Sequence, residues 1–177
     1  MRFTETALAG VVVVEIEPHA DDRGHFARTF CREEFARAGL PVDFPQCNLS
    51  FNARRGTLRG MHWQADPHPE GKLVRCTRGA IRDVLVDIRP ASPTFRRWVA
   101  VELTEDNATA VFVPPGYAHS FQTLVDRSEV LYHMTEVYHP GLARGARWND
   151  PAFGIDWPIA DPILSPRDAA YPDLVVG

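Results

Sequence analysis

The clearest prediction of the fold of this chain comes from the stretch KLVRCTRGAIRDVLVDIRP, residues 72–90. It contains two runs rich in valine, leucine and isoleucine that are separated by a glycine and closed by a proline, and such bounded apolar runs predict β-strands. In the second run, residues 81–88, the side chains alternate with the period of two that a strand requires. The valines therefore fall on one face of this strand, and Asp83 and Asp87 fall on the other.

Other short apolar stretches have the same character, and 15 prolines and 12 glycines supply turns between them. The segment CREEFARAGL, residues 31–40, instead predicts a helix, with Gly39 in the left-handed position that ends it. The fold class is therefore mainly β, a sandwich or barrel with short peripheral helices. The further predicted strands lie in VVVVEIEP (11–18), WVAVELT (98–104), TAVFVPPG (109–116) and EVLYHMTEVY (129–138).

Length and composition describe one globular domain, residues 1–177, with 45% hydrophobic residues. The formal net charge of −4 and the mixed charges exclude a general nucleic-acid surface, because phosphate binding normally needs a basic face. The longest apolar run, residues 9–14, is too short to cross a bilayer, and the N-terminus lacks the pattern of a signal peptide. We therefore expect a cytoplasmic protein with neither nucleic-acid nor membrane partners.

Two histidines follow glycine-containing turns. His62 lies in GTLRGMHWQ (56–64) and His119 in VPPGYAHSF (113–121), and each alone is more typical of a hydrogen-bonded structural ring than of a site. Together the two segments resemble the paired motifs of cupins, small β-barrels that often hold a metal. A metal cupin would have its second histidine where this chain has Gln64. His68 and Glu70 are possible substitutes, but their proline-rich loop is poorly suited to placing ligands, so we expect no metal.

Three cations recur where strands begin, at Arg23, Arg59 and Lys72. Each alone is more typical of a solvated surface charge, but together they suit a phosphorylated ligand, because Arg forks two phosphate oxygens and Lys supplies a point charge. Tyr132 and Tyr138 are six residues apart, so both face the same side if their strand is unbroken. These polar groups are candidates for a site inside a β-barrel, where a buried polar side chain is costly without a ligand or partner.

Long motifs in this chain resemble the dTDP-4-dehydrorhamnose 3,5-epimerase family, which consists of metal-free enzymes of the cupin fold that act on nucleotide-linked 4-keto-6-deoxy sugars. The resemblance implies a jelly-roll β-barrel, no cofactor, and a nucleoside-diphosphate sugar as substrate. It runs through DDRGHF (21–26), QCNLS (46–50), TLRGMHWQ (57–64), EGKLVRCTRGAIRDVLVDIR (70–89), SPTF (92–95), VELT (101–104), VPPGYAHSF (113–121), the 132–138 segment, RWNDPAFGIDWP (147–158) and ILSPRDAAYP (163–172).

The resemblance implies four catalytic residues. His62 is the base, Asp168 orients it and balances its charge, Tyr132 is the acid on the opposite face of the sugar, and Lys72 lies near the keto oxygen. The residue types suit the chemistry, since removing a proton beside a ketone needs a close base and a group that stabilises the enolate oxygen. Inversion also needs proton removal on one face and delivery on the other.

The resemblance further implies a set of substrate-binding residues. Arg59 and His62 are three apart, out of strict alternation, yet both are expected to serve the ligand. Arg23 and Arg59 are expected around the diphosphate, His119 and Asn48 around the sugar, Tyr138 against the nucleotide, Asp83 as a supporting acid, and Phe26, Arg28 and Gln46 as further binding residues.

Position 28 departs from the family, which usually has a glutamate near the nucleotide base. Arg28 donates hydrogen bonds only, so if it points inward it suits cytosine better than thymine. The sequence leaves open the base, and whether C3, C5 or both are inverted. A C3-only or C5-only epimerase of a CDP-sugar is therefore one alternative, and a metal cupin using His62 and His119 or a non-catalytic sugar-nucleotide binder are others.

The resemblance also implies a homodimer in which an N-terminal strand crosses to the partner and brings Arg23 towards its site. The sequence itself offers an apolar, strand-prone run, residues 11–14, that is suited to pairing with a second copy.

Overall fold

The fold was described from a computed structural model, in which residues 1–175 are described. These residues form 13 strands and two short α-helices, and none of their helices is long and apolar enough to cross a membrane. The elements are β1 (Arg2–Glu5), β2 (Val12–Glu15), β3 (His19–Asp21), β4 (Gly24–Phe26), α1 (Arg32–Arg37), β5 (Gln46–Asn52), β6 (Leu58–Gln64), β7 (Lys72–Arg78), β8 (Ala80–Asp87), β9 (Trp98–Thr104), β10 (Ala110–Val113), β11 (Tyr117–Thr123), β12 (Ser128–Met134), β13 (Ala143–Gly145) and α2 (Pro166–Ala169).

Two antiparallel sheets form the body of the molecule. The six-stranded sheet has the order β1-β2-β10-β7-β12-β5, and the five-stranded sheet has the order β13-β6-β11-β8-β9. A shared apolar core joins them, with Val74, Val111 and Val130 from the first sheet and Leu85 and Phe121 from the second. The mainly β prediction is confirmed, and the architecture is the jelly-roll that the resemblance implied.

The segment 72–90 forms β7 and β8, which belong to different sheets, so the turn at Gly79 carries the chain from one wall to the other. Gly79 has φ +74°, and a Cβ there would lie 2.7 Å from the Ser128 hydroxyl oxygen, which explains the glycine. Both faces of β8 are buried. Leu85 faces the core between the sheets, and the valines of β8 pack outward against a second cluster.

That outer cluster is built by the C-terminal part of the chain. Ala146 and Phe153 are buried against Val84 and Val86, with Trp157 packed beside them. The irregular segment after β13 therefore covers the outer face of the five-stranded sheet, and this cover explains why β8 is apolar on a face that an antiparallel sheet often leaves to water.

The predicted helix is confirmed as α1, with Gly39 following it at φ +70°. Its Phe35 is fully buried, and it meets the rings of Phe3, Phe30 and Phe44 edge-on. The helix thereby covers the outer face of the six-stranded sheet. The sequence did not single out the short α2, nor β1, β5, β13 and the β3–β4 hairpin.

Two strand expectations need correction. The apolar run at 11–14 is not available to pair with a second copy, because β2 lies between β1 and β10 of its own chain and both of its edges are hydrogen-bonded. The strand carrying Tyr132 is also broken before Tyr138, because β12 ends at Met134. The even spacing of the two tyrosines therefore does not determine where Tyr138 lies.

Glycine at position 60 is required by the close approach of β6 and β11. A Cβ there would lie 2.5 Å from the Ser120 Cβ and 2.7 Å from the His119 carbonyl oxygen, and Gly60 has φ +132°. The pairing of β6 with β11 also shifts register between His119 and Phe121, as in a β-bulge. The extra residue lets side chains at odd spacing on β6 face the same side.

We expect Gly60→Ala to destabilise the fold more than Gly24→Ala, by about 1–3 kcal/mol in the free energy of unfolding. Gly24 has a similar φ of +120°, but nothing lies within 4 Å of its Cβ position, so this control carries the backbone strain without the collision. Urea unfolding of both variants measures the difference, and equal losses would contradict the proposed collision with β11.

Candidate active site

A cavity of about 430 Å³ opens among the strands of both sheets. Eight residues that the sequence predicted for the site line it, so the fold brings together most of the predicted set. They are Gln46, Asn48, Arg59, His62, Lys72, His119, Tyr132 and Tyr138.

His62 and Asp168 form the central hydrogen bond of this cavity. The Nε2–H of His62 donates to Asp168 Oδ1 at 2.6 Å, and the Asp168 side chain is almost fully buried. Burial alone would raise the pKa of Asp168, but the hydrogen bond and charge of His62 outweigh it, so the pKa lies below its usual value. The carboxylate is therefore ionised at neutral pH, as a group must be to balance a protonated imidazole.

The tail of the chain is fixed against β6 so that this pair can form. The Leu58 N–H donates to the Ile163 carbonyl at 3.0 Å, and Thr57 and Ile163 form an isolated bridge. Ser165 then caps α2 by accepting a hydrogen bond from the Asp168 N–H at 3.0 Å. These contacts fix the backbone of Asp168 beneath the ring of His62.

Tyr132 lies on β12, in the sheet opposite the one that carries His62. Burial, and next the nearby Asp83 carboxylate, raise the pKa of Tyr132 far above its usual value. The phenol therefore keeps its proton at neutral pH and can donate it. An imidazole and a phenol thus line one cavity from facing walls.

His119 and Asp83 form a second buried pair, in which His119 Nε2 lies 2.7 Å from Asp83 Oδ2. His119 is the register partner of His62 across β6 and β11, and its ring meets the Tyr132 ring edge-on at 6.2 Å. This pair explains the presence of Asp83, one of the two acids that share a face of β8. The other, Asp87, instead binds Arg89 and the 92–94 turn.

Lys72 and Arg59 supply positive charge to the cavity wall. Lys72 is buried at the start of β7 and donates to Glu70 Oε1 at 2.8 Å. The Arg59 Nε donates to Asn52 Oδ1 at 2.8 Å, so its side chain is oriented from behind. Arg59 and His62 line the same cavity in spite of their odd spacing. This is consistent with the register shift in the pairing of β6 with β11, where three steps on β6 oppose two on β11.

Tyr138 reaches the cavity from the irregular segment after β12, with half of its surface exposed. Its N–H donates to Gln46 Oε1 at 3.0 Å, and Gln46 Nε2 donates to Asn48 Oδ1 at 3.1 Å. These contacts between β5 and the Tyr138 segment place three predicted binding residues side by side at the mouth.

Arg23, Phe26 and Arg28 do not line the cavity of this chain. Arg23 pairs with Asp21 on the β3–β4 hairpin, and Phe26 at its end is 77% exposed. Arg28 donates to Glu34 of α1 at 3.0 Å. Within one chain, the structure therefore keeps these three predicted residues apart from the other ten.

Three charged residues of the cavity wall were not predicted to belong to the substrate site, namely Glu70, Arg144 and Arg167, and the sequence singled out Glu70 only as a possible metal ligand. A signal was present for Arg167, which directly precedes Asp168 in the ILSPRDAAYP motif. The Arg167 Nε donates to the Tyr171 hydroxyl at 2.7 Å, and the Tyr171 ring packs edge-on against His62. The tail thus contributes a cation, a carboxylate and an aromatic ring to one side of the cavity.

The lowered pKa of Asp168 makes a prediction about stability. A carboxylate with a lowered folded-state pKa stabilises the fold above its unfolded pKa of about 3.9, and this contribution is lost as the pH falls through the folded pKa. We expect Asp168→Asn to lower the free energy of unfolding by about 1–3 kcal/mol at pH 7, and the difference to shrink below about pH 4. Chemical denaturation across this range measures it.

Asp173→Asn is the control, because its ion pair with Arg147 is largely exposed and is expected to contribute less than about 1 kcal/mol. A loss for Asp168→Asn that stayed constant with pH would contradict the inferred charge coupling to His62.

The architecture of this chain agrees with comparisons to known proteins. Residues 5–175 match the family model described as dTDP-4-dehydrorhamnose 3,5-epimerase. An enzyme of that name from Methanothermobacter thermautotrophicus is 44% identical over 98% of this chain and 94% of its own length. A dTDP-4-dehydrorhamnose 3-epimerase from Streptomyces niveus is 37% identical over 95% of this chain and 81% of its own.

Among solved structures, the Bacillus anthracis dTDP-4-dehydrorhamnose 3,5-epimerase with TDP and PPi bound superimposes with a TM-score of 0.95. It is 38% identical, and the match covers 98% of this chain and 99% of that one. A match of this extent in sequence and in fold has one meaning: this chain belongs to the dTDP-4-dehydrorhamnose 3,5-epimerase family.

Proposed function

We propose that this protein is a cofactor-independent epimerase that inverts C3 and C5 of a nucleoside-diphosphate 4-keto-6-deoxyhexose. The observation that carries the proposal is the His62–Asp168 pair on one wall of the cavity with protonated Tyr132 on the other. A non-catalytic binder has no need of a buried carboxylate behind a histidine. The family membership favours the same activity.

In this mechanism His62 removes the proton beside the keto group. Its Nε2–H is committed to Asp168, so Nδ1 is the ring nitrogen left to accept the proton. The C–H bonding electrons move into an enolate, and its oxygen is stabilised by the positive charge of Lys72. Asp168 acts as a positioning residue, since it fixes the tautomer of His62 and balances the imidazolium that forms.

Tyr132 completes the inversion by giving its phenolic proton to the opposite face of the same carbon. The position of β12 in the facing sheet supports this role, as does the burial that keeps the phenol protonated. The proton is then on carbon, the keto group is restored, and the configuration at that carbon is reversed. Solvent exchange returns the two side chains to their starting protonation states.

We assign the diphosphate to the cationic side of the cavity, where Arg59 and Arg167 lie. We further propose a homodimer in which the β3–β4 hairpin of one copy brings Arg23 and Phe26 to the cavity of the other. The exposed position of this hairpin and of the Phe26 ring supports that assignment. Since β2 is already paired with β1 and β10, residues 11–14 are poorly suited to this crossing, which favours the hairpin.

We propose thymidine as the base of the nucleotide. Arg28 already has a partner in its own chain, since it donates to Glu34 at 3.0 Å, and this pairing disfavours a role for it in recognising cytosine. The Bacillus anthracis relative is described with TDP bound, which favours the same base. Most of the relatives are named 3,5-epimerases, which favours inversion of both carbons, whereas the Streptomyces niveus relative is named a 3-epimerase.

The proposed roles of His62 and Tyr132 predict different losses. We expect His62→Ala to abolish exchange of the C3 and C5 protons in deuterated buffer, because nothing else removes them. Tyr132→Phe is expected to keep exchange and to lose epimer formation, because His62 returns deuterium to the face from which it took the proton. Proton NMR with dTDP- and CDP-linked 4-keto-6-deoxyglucose measures both, and also reports the base and the carbons attacked.

Tyr117→Phe is the matched control, since Tyr117 is a buried barrel tyrosine that bonds to Arg89 and Ala9 and does not line the cavity. Absence of exchange by the wild-type protein with either nucleotide would contradict the proposed function. Full epimerisation by Tyr132→Phe would remove Tyr132 from the mechanism.

Asp168→Asn is expected to lower kcat by about 10²–10⁴-fold, because an amide neither balances the imidazolium nor enforces the same tautomer. The KM is expected to change little, since Asp168 lies behind His62 and outside the cavity lining. Steady-state kinetics with the better substrate measures the two constants. A rise in KM with an unchanged kcat would instead indicate a role in binding.

A further inference from the structure

Three potential metal ligands meet outside the catalytic cavity, in the two loops beside its mouth. His68, Glu136 and His139 each offer one ligand atom, and these atoms lie within 4.8 Å of one another. We propose that these three residues, the rim triad, bind one divalent transition-metal ion of the Zn²⁺ class. This inference goes beyond the proposed function and needs no step of it.

The hydrogen-bonding state of the rim triad favours a ligand. The Nε2 atom of His139 is buried without a hydrogen-bond partner, and it lies 4.0 Å from Glu136 Oε1. His68 Nδ1 lies 3.4 Å from Glu136 Oε2, at the long end of hydrogen-bond range. Both imidazoles therefore face one carboxylate, and the protein leaves the hydrogen-bonding capacity of the two facing ring nitrogens largely unused.

The donor set fits zinc better than an alkaline-earth ion. Two imidazoles and a carboxylate are the protein ligands of many zinc sites with an open fourth position, and zinc binds imidazole at about 2.0–2.1 Å. Tetrahedral geometry then places neighbouring ligand atoms about 3.3 Å apart. A closure of up to about 1.5 Å brings the rim triad to that spacing, and loop side chains can make it, since His68 is exposed and Glu136 and His139 are partly exposed.

The backbone of the rim triad is already fixed by one buried amide. Gln64 donates through Nε2 to the His68 carbonyl at 2.7 Å and to the Val137 carbonyl at 3.1 Å. Its Oε1 accepts from the His139 N–H at 2.8 Å. The residue that replaces a metal-binding histidine inside the barrel thus holds together the two loops that carry ligands outside it.

The orientation of Glu136 is also prepared. Its Oε1 accepts a hydrogen bond from the Val137 N–H at 2.8 Å. A hydrogen bond from outside the ligand set restricts the rotation of a carboxylate. The rings of His68 and His139 stack with their centroids 4.3 Å apart and their planes 15° from parallel.

The rim triad is distinct from the histidines of the catalytic cavity. His62 and His119 have their Nε2 atoms committed to Asp168 and Asp83, and neither belongs to the group of close ligand atoms found in residues 1–175. Tyr138 lies between Glu136 and His139 in the chain and lines the cavity mouth. A metal on the rim triad would therefore fix the loop that presents Tyr138.

The test is calorimetric titration of Zn²⁺ into the untagged full chain after chelator treatment and dialysis, with Co²⁺ absorption as a second readout of the ligand geometry. We expect one equivalent to bind, His68→Ala and His139→Ala each to weaken binding by at least 10-fold, and saturating Zn²⁺ to raise the Tm of the wild-type protein but not that of these two variants.

Three controls separate the rim triad from other ligands. His25→Ala removes an exposed histidine of the β3–β4 hairpin, Cys47→Ser removes an exposed thiol, and His62→Ala removes the proposed catalytic base. All three are expected to bind Zn²⁺ like the wild type. Absence of stoichiometric binding, or binding that survives both rim-triad substitutions or is lost in a control, would overturn the inference. Since His62→Ala is inactive in the proposed mechanism, retained binding there is independent of the epimerase activity.

Discussion

A polar side chain between two packed sheets is costly unless a hydrogen bond satisfies it, and the site of this protein depends on that constraint. The imidazoles of His62 and His119 each meet a carboxylate, and Lys72 meets Glu70. Each reactive group is therefore held in one orientation before any ligand enters. The hydrogen bonds that make polar side chains tolerable between the sheets therefore also maintain the shape of the cavity.

The sequence predicts the strands well where a bounded β-branched run coincides with two-residue alternation of the side chains. In residues 72–90 the β-branched runs and their bounding glycine and proline determine β7 and β8, and the alternation correctly separates Asp83 from the valines. It does not reveal that the second face of β8 is buried too, because that burial comes from residues after 145. Short elements such as β13 and α2 depend on similar distant contacts.

The site is predictable to a different degree for each residue. The local motifs indicate His62, His119 and the cations. Asp168, the partner of His62, comes from a distant segment and is indicated only by the family resemblance, whereas the contact of Lys72 with Glu70 was not predicted. Arg59 and His62 show why spacing alone is insufficient, since an extra residue on β6, where three steps oppose two on β11, interrupts the alternation expected for β6. Tyr138 shows the converse, because it reaches the cavity although its strand ends four residues earlier.

The origin of Asp168 in the tail has a consequence for the order in which the protein is made. The carboxylate follows His62 by 106 residues, and it comes after the last strand of both sheets. A nascent chain can therefore assemble the barrel and its cavity while the imidazole still lacks the partner that fixes its tautomer. The His62–Asp168 hydrogen bond can thus form only once residue 168 has been synthesised, later than every strand of both sheets.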